Sequence, residues 1–294
     1  MKPLTICVLL YGDYPDLAER CLGSIERSLS EGSRYVAAFR VGLNECSPPT
    51  HVYVRDLVSR LESDYPDIRV DLYATDKNVC KYPMMRTMFR EPDLIATQYI
   101  MWFDDDSYFN SEKVDHNWWP AMFDAIRDKA MIGQHWLMPI QGNQWEWIRS
   151  QSWFNNKVGL PPKKAKGRPA FEFCQGAWWV AETKTLLYND WPLPEIKHNG
   201  GDSMLGELLR HRRKAMGKFF GGVHINADAT GRKSSSKRRG YTEDRVGWDY
   251  QGTPLDTGHQ YFEYQDDYAS QYPPKRPSTK IINLFSTETH NPFE

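Results

Sequence analysis

The run Tyr99-Ile100-Met101-Trp102-Phe103 leads without a break into Asp104-Asp105-Asp106 and then Ser107-Tyr108-Phe109. The apolar residues predict a buried strand, and the acids at its end predict carboxylates delivered into a cleft. Like charges held side by side repel, so a positive partner is expected beside them. A hard divalent cation, bound through oxygens and bridging to a substrate phosphate, meets that need. Taken alone, the three acids read better as a solvated turn.

The segments around this run narrow the choice. Residues 4–11 form a continuous apolar strand broken by Gly12-Asp13-Tyr14-Pro15, and Leu17, Cys21, Leu22, Ile25 and Leu29 follow at helical spacing, with Asp16 as N-cap. Residues 35–43 predict a second strand, 52–61 a second helix, 68–73 a third strand and 84–89, after a break at Pro83, a short helix. Strands alternating with helices predict an α/β chain: a mostly parallel central sheet with helices on both faces. Ligands of such sheets bind beyond the carboxyl ends of the strands, where Tyr11, Glu45 and Asp104 to Asp106 fall.

The second half is less regular. It reads as a helix within 114–131, a strand at 131–136, a loop at 157–169 and a bent strand or strand pair at 171–180. A turn at 198–202, a helix at 203–213 and a strand at 219–226 carrying His224 follow. Residues 227–294 are polar and rich in Tyr, Pro and charge, which predicts loops and a surface-packed extension. No internal repeat is visible. Halves 1–110 and 111–226 are expected to share one sheet.

A net charge of −1 excludes a chain-wide polyelectrolyte, so any contact with nucleic acid must come from a local patch. The five cysteines are scattered without a C-x-x-C pair, which predicts reduced thiols, a cytoplasmic location and no zinc site. The apolar run 4–10 is too short to span a bilayer, and no other run approaches that length, so no transmembrane segment is expected.

Further landmarks appear in order. After the first strand comes Leu17-Ala18-Glu19-Arg20-Cys21-Leu22-Gly23-Ser24-Ile25, then the turn Asn44-Glu45-Cys46-Ser47, then Asn78 and Arg86, then Asp104-Asp105-Asp106. Gln175-Gly176-Ala177-Trp178, Gly201-Asp202-Ser203-Met204-Leu205 and Val223-His224-Ile225 complete the series. Over residues 4–226 the series resembles the GT-A glycosyltransferases, in particular family 2 of the nucleotide-sugar enzymes. Four departures stand out: Glu45 where Asp is usual, Gly201-Asp202 where a Glu-Asp pair is usual, Tyr11-Gly12-Asp13 after the first strand, and a segment from Asn78 to Arg86 that is not Gly-rich.

The resemblance implies a D-x-D site that holds Mn²⁺ or Mg²⁺ through Asp104, Asp106 and His224. It implies donor contacts from Tyr11, Glu45, Arg86, Asp104 and Asp105, with UDP as the expected nucleotide. Asp202 becomes the general base of an inverting transfer, and Gly176, Trp178 and Gly201 line the acceptor side. Adjacent strand residues face opposite ways, so only one of Trp178 and Trp179 can face the cleft, and Trp178 is taken for that role. The same alternation sets Asp104 and Asp106 on one side and turns Asp105 away, which predicts that Asp105→Ala is milder than Asp106→Ala.

Residues 230–240, rich in Lys, Arg and Ser, read three ways. They form a solvated loop, a lid that sets Arg232 and Lys233 on the donor diphosphate, or, with Lys163, Lys164, Lys166 and Arg168, a contact for a polyanionic acceptor. The acceptor is expected to be a glycan or a hydroxymethylated pyrimidine in DNA. Two other classes stay open. One is an inactive GT-A-like module that binds carbohydrate or nucleic acid; the other is a nucleotidyltransferase, for which the first turn lacks a Gly-rich, Lys-bearing phosphate loop.

Overall fold

The computed structural model describes residues 2–140, 142–194, 196, 200–219 and 221–225. The first half is a strict alternation: β1 (Leu4–Tyr11), α1 (Pro15–Gly32), β2 (Val36–Asn44), α2 (Pro48–Asp64), β3 (Arg69–Thr75), α3 (Lys81–Arg90) and β4 (Tyr99–Asp104). The second half holds β5 (Ser107–Phe109), α4 (Trp118–Ile126), β6 (Met131–Pro139), α5 (Gly142–Arg149), β7 (Lys164–Ala165), β8 (Arg168–Glu182), α6 (Thr183–Tyr188), α7 (Gly201–His211), β9 (Met216–Lys218) and β10 (Val223–Ile225). The expected α/β class, with a mostly parallel sheet covered on both faces, is what forms.

One sheet runs β3-β2-β1-β4-β8-β6-β9, with β7 paired to β8, so both halves of the chain share it. The pairs β3-β2, β2-β1, β1-β4 and β6-β9 are parallel; β8 runs antiparallel to both neighbours. A small ribbon of β5 and β10 lies outside it. The strand alternation separates two cores. Ile6, Val8, Met101, Phe103, Trp178 and Val180 face α1, α2 and α4. Cys7, Trp102, Trp179 and Ala181 face α3, α5 and α7. No disulfide joins the five cysteines. No helix among the described residues is long and apolar enough to cross a membrane.

Several boundaries differ from the sequence reading, and proline explains three. Helix α1 starts at Pro15 with Tyr14 as its N-cap, so Asp16 sits in the first turn, where the helix dipole favours an acid. Helix α2 begins at Pro48 rather than residue 52, because its paired prolines fit positions whose N–H groups have no partner. Pro83, read as a break, lies in the first turn of α3 for the same reason. Residues 168–182 form one continuous strand, and α4 is only nine residues long.

The C-terminal end of α7 carries a buried histidine. His211 Nδ1 accepts from the backbone N–H of Asn155 at 3.0 Å, while its ring packs against Phe154 with centroids 4.4 Å apart. Burial, with Arg210 and Arg212 nearby, depresses its pKa from 6.5 to about 4. Below 6.5 the unfolded chain takes up a proton that the native chain refuses until about pH 4. Stability is therefore present above 6.5 and is lost on acidification through that window, by up to about 3 kcal/mol. In urea unfolding across pH 7 to 4, where the raised pKa of Asp104 acts in the opposite sense, the stability of the wild type relative to His211→Gln is expected to fall on acidification; a pH-independent difference would refute the assignment.

Candidate active site

The parallel strands β1, β2 and β4 end at the same edge: Tyr11 and Asn44, the last residues of β1 and β2, pair, and Asp104, the last of β4, pairs with Leu9. At this edge Asp104 is the final strand residue, while Asp105 and Asp106 form a tight turn into β5. The extended frame expected from the sequence therefore stops at Asp104. Asp105 does not turn away to solvent: it is buried, and its Oδ2 accepts the backbone N–H of Tyr11 at 3.0 Å. Its role is to tie the end of β4 to the end of β1.

Asp104 is fully engaged by this chain. Its Oδ1 accepts from Trp102 Nε1 at 2.8 Å and its Oδ2 from Lys81 Nζ at 2.7 Å. Burial, opposed by Lys81 and aided by Asp106, raises its pKa to about 6. Burial alone would depress the Lys81 pKa; Asp104, Asp202 and Asp106 outweigh it and raise it above its ordinary value. Lys81 is thus the positive partner that the acids demanded. It stands at the first position of α3, and its ammonium also donates to the Gly176 carbonyl at 2.9 Å.

Gly176 links two carboxylates. Its N–H donates to Asp202 Oδ2 at 3.0 Å, and Tyr82 Oη donates to Asp202 Oδ1 at 2.7 Å. A Cβ on Gly176 would stand 2.3 Å from Asp202 Oδ1, and one on Gly201 would stand 2.1 Å from Tyr82 Cζ, so both positions require glycine. Asp202 sits in the first turn of α7, where the helix dipole stabilises a carboxylate. A carboxylate has about four acceptor sites, so two bonds orient Asp202 and leave lone pairs for a substrate proton.

The structure does not bring the other expected residues into this cluster. Trp178 is fully buried against Phe103, Trp118 and Phe219, so it offers no stacking face; Trp179 stacks on Trp102 in the opposite core. The choice between the two tryptophans was therefore empty, because both faces of β8 are covered here. The Arg86 guanidinium donates to Asp190 and to the Pro192 carbonyl, which commits it to the segment after α6 rather than to a donor. Glu45 follows β2 in the left-handed region at φ 55° and is half-buried. His224 is exposed on β10; its Nε2 lies 2.9 Å from Asn110 Nδ2 and its ring stacks on Tyr108. Arg232, Lys233, residues 230–240 and the extension 227–294 lie outside the described residues.

No group of three His, Cys, Asp or Glu side chains gathers into a metal cage among the described residues. Asp104 is committed to the Lys81 ammonium, whose positive charge at 2.7 Å disfavours a cation beside it. A hard cation that shares a substrate diphosphate takes only one or two protein carboxylates, and Asp106, buried in the turn beyond Asp104, suits that smaller role. Lys81 and Tyr82 were not recognised in the sequence. A single lysine ahead of an apolar helix carries no periodic signal, and only the fold sets it between Asp104 and Gly176.

Substitutions in the acidic turn separate these roles. Asp105→Asn is expected to lower the melting temperature, because a charged acceptor for Tyr11 is lost, at a cost of about 1–3 kcal/mol. Asp106→Asn is expected to leave it unchanged or raise it, since its charge repels Asp104. Equal losses in two thermal melts would contradict this division.

No family model and no curated protein matches this sequence. Among solved structures, the chain is similar to a mannosyltransferase from Pyrobaculum calidifontis in complex with GDP-mannose and Mn²⁺, at 12% identity and a TM-score of 0.48, over 74% of this chain and 54% of that one. It thus spans about half the length of that enzyme. It is similar to core-mannan synthase A from Aspergillus fumigatus, at 11% identity and a TM-score of 0.45, over 74% of each chain. It is also similar to a nucleoside-diphosphate-sugar pyrophosphorylase from Vibrio cholerae, at 10% identity and a TM-score of 0.41, over 75% of this chain and 95% of that one.

Proposed function

We propose that this protein transfers a sugar from a nucleoside diphosphate, with UDP as the nucleotide, to an acceptor hydroxyl with inversion at the anomeric carbon. One observation carries the reading: Asp106 lies in the turn where three parallel strands end, while Asp202 is held by Gly176 and Tyr82 next to the Lys81–Asp104 pair. A donor-side acid and an oriented base are what a direct displacement requires.

In this reading the diphosphate lies over the ends of β1, β2 and β4, between Glu45 and the acidic turn. Asp106 would hold Mn²⁺ or Mg²⁺, which would supply charge neutralisation to the leaving group. The acceptor oxygen attacks the anomeric carbon, the bond to the diphosphate oxygen breaks with its electron pair, and the acceptor proton passes to Asp202. Tyr82 and the Gly176 N–H keep the Asp202 carboxylate aimed while leaving it lone pairs. Lys81 holds Asp104 and Gly176 at fixed separation, so the donor and acceptor sides stay in register. The acceptor hydroxyl belongs to a glycan or to a hydroxymethylated pyrimidine in DNA.

Calorimetric titration with UDP and GDP, with and without Mn²⁺, tests the donor side. Metal-dependent binding is expected in the wild type and in Asp202→Asn, and is expected to vanish in Asp106→Ala. Binding that ignores both the metal and Asp106 would dismiss the proposal. With donor and acceptor in hand, Asp202→Asn is expected to lower kcat by roughly 10²–10⁴-fold while donor affinity stays near wild type.

A further inference from the structure

A second concave site lies on the acceptor flank. A cavity of about 420 Å³ opens between β6, β8, α7 and β9, and its wall includes His135, Lys163, Glu172, Arg210, Lys214 and Lys218. That volume falls in the range that takes small ligands. Four permanent cations thus face one carboxylate.

The cations are held in different ways. Arg210 is fixed: its Nε and Nη2 donate to Glu207, whose side chain is 1% exposed, and Nη2 also donates to the Gly159 carbonyl at 2.8 Å. A guanidinium fixed in this way loses little further freedom when it meets a ligand. His135, with its side chain nine-tenths buried, sets Nδ1 3.2 Å from Glu172 Oε1, the oxygen that also takes the Lys163 ammonium. Lys214 reaches Glu182 only at 3.8 Å, and Lys218 is exposed with no ion pair among the described residues. The hairpin of β7 and β8 that follows Lys163 adds exposed Lys164, Lys166 and Arg168.

We propose that this cavity binds a phosphate group, and that the group is carried by the acceptor. Several lysine ammoniums and a guanidinium held in place by Glu207 around one small cavity match a compact, multiply charged oxyanion better than a neutral sugar. Gly206, in the cavity wall, lies one helical turn after Asp202 on α7, about 6 Å along the axis. Glu172 lies four residues before Gly176 on β8, roughly 13 Å along the strand. A molecule anchored here by phosphate therefore extends toward the proposed base. The word acceptor rests on the glycosyltransferase reading; the phosphate site itself does not.

The test titrates the full chain at low salt with inorganic phosphate, glycerol 1-phosphate and a thymidine tetranucleotide, in the wild type and in Lys214→Gln/Lys218→Gln. Both lysines are exposed, so the variant keeps its fold, and UDP titration with Mn²⁺ serves as the control. At least one phosphate probe is expected to bind, and to weaken with added salt and by roughly tenfold in the variant, while the UDP response stays as in the wild type. Tightest binding of the tetranucleotide would assign the site to a phosphodiester chain; equal binding of the two small probes would assign it to an isolated phosphate. Absence of binding by all three, or equal binding by the variant, would overturn the site. So would joint loss of phosphate and UDP binding in the variant, which would assign these lysines to the donor. Phosphate binding without any UDP response in the wild type would remove the glycosyltransferase reading and leave the phosphate site in place.

Discussion

Placing the Lys81 ammonium between Asp104 and the Gly176 carbonyl is what allows consecutive carboxylates to sit at the end of a strand that is otherwise core. Without a positive charge, a buried Asp104 next to Asp106 would remain protonated or force the turn open. The lysine is itself shielded from water, and its charge survives because three aspartates surround it. Each partner therefore justifies the burial of the other. The interaction also crosses the sheet, since Asp104 ends β4 and Gly176 belongs to the antiparallel β8.

Two glycines make the second carboxylate part of the same unit. Asp202 approaches β8 so closely that any side chain at position 176 would displace it, and Tyr82 approaches α7 so closely that position 201 is equally restricted. Because Lys81 and Tyr82 are neighbours at the start of α3, one helix end reaches both acids at once. Helix α3 is in turn held at its other end by the buried Arg40, which donates to the carbonyls of Met88, Glu91 and Asp93. The position of Asp202 thus depends on a chain of contacts that begins inside β2.

What could be read in the sequence follows from how local each signal is. Strands β1, β2 and β4 are visible as apolar runs, and their shared carboxyl edge follows from alternation with helices. That was enough to place Tyr11, Glu45 and the acidic turn together. The fate of Asp105 was not legible, because the two-residue strand period fails as soon as the chain turns. Trp178 misled for another reason: its sequence neighbours suggest a cleft, whereas burial is decided by α4 and Phe219, far away in the chain. Arg86 shows the same limit, since Asp190 claims it from about a hundred residues downstream.

The division of labour among the acids follows from the number of donors each one meets. Asp104 spends both oxygens on Trp102 and Lys81, and Asp105 spends one on Tyr11, so both stabilise the carboxyl edge of the sheet. Asp202 also has both oxygens occupied, but by a hydroxyl and a backbone N–H, neutral donors that orient a carboxylate without cancelling its charge. Lys81 at 2.7 Å binds Asp104 into the edge of the sheet, whereas the partners of Asp202 fix its direction and leave lone pairs for a substrate proton. The proposal of Asp202 as base rests on these partners as much as on its place on α7.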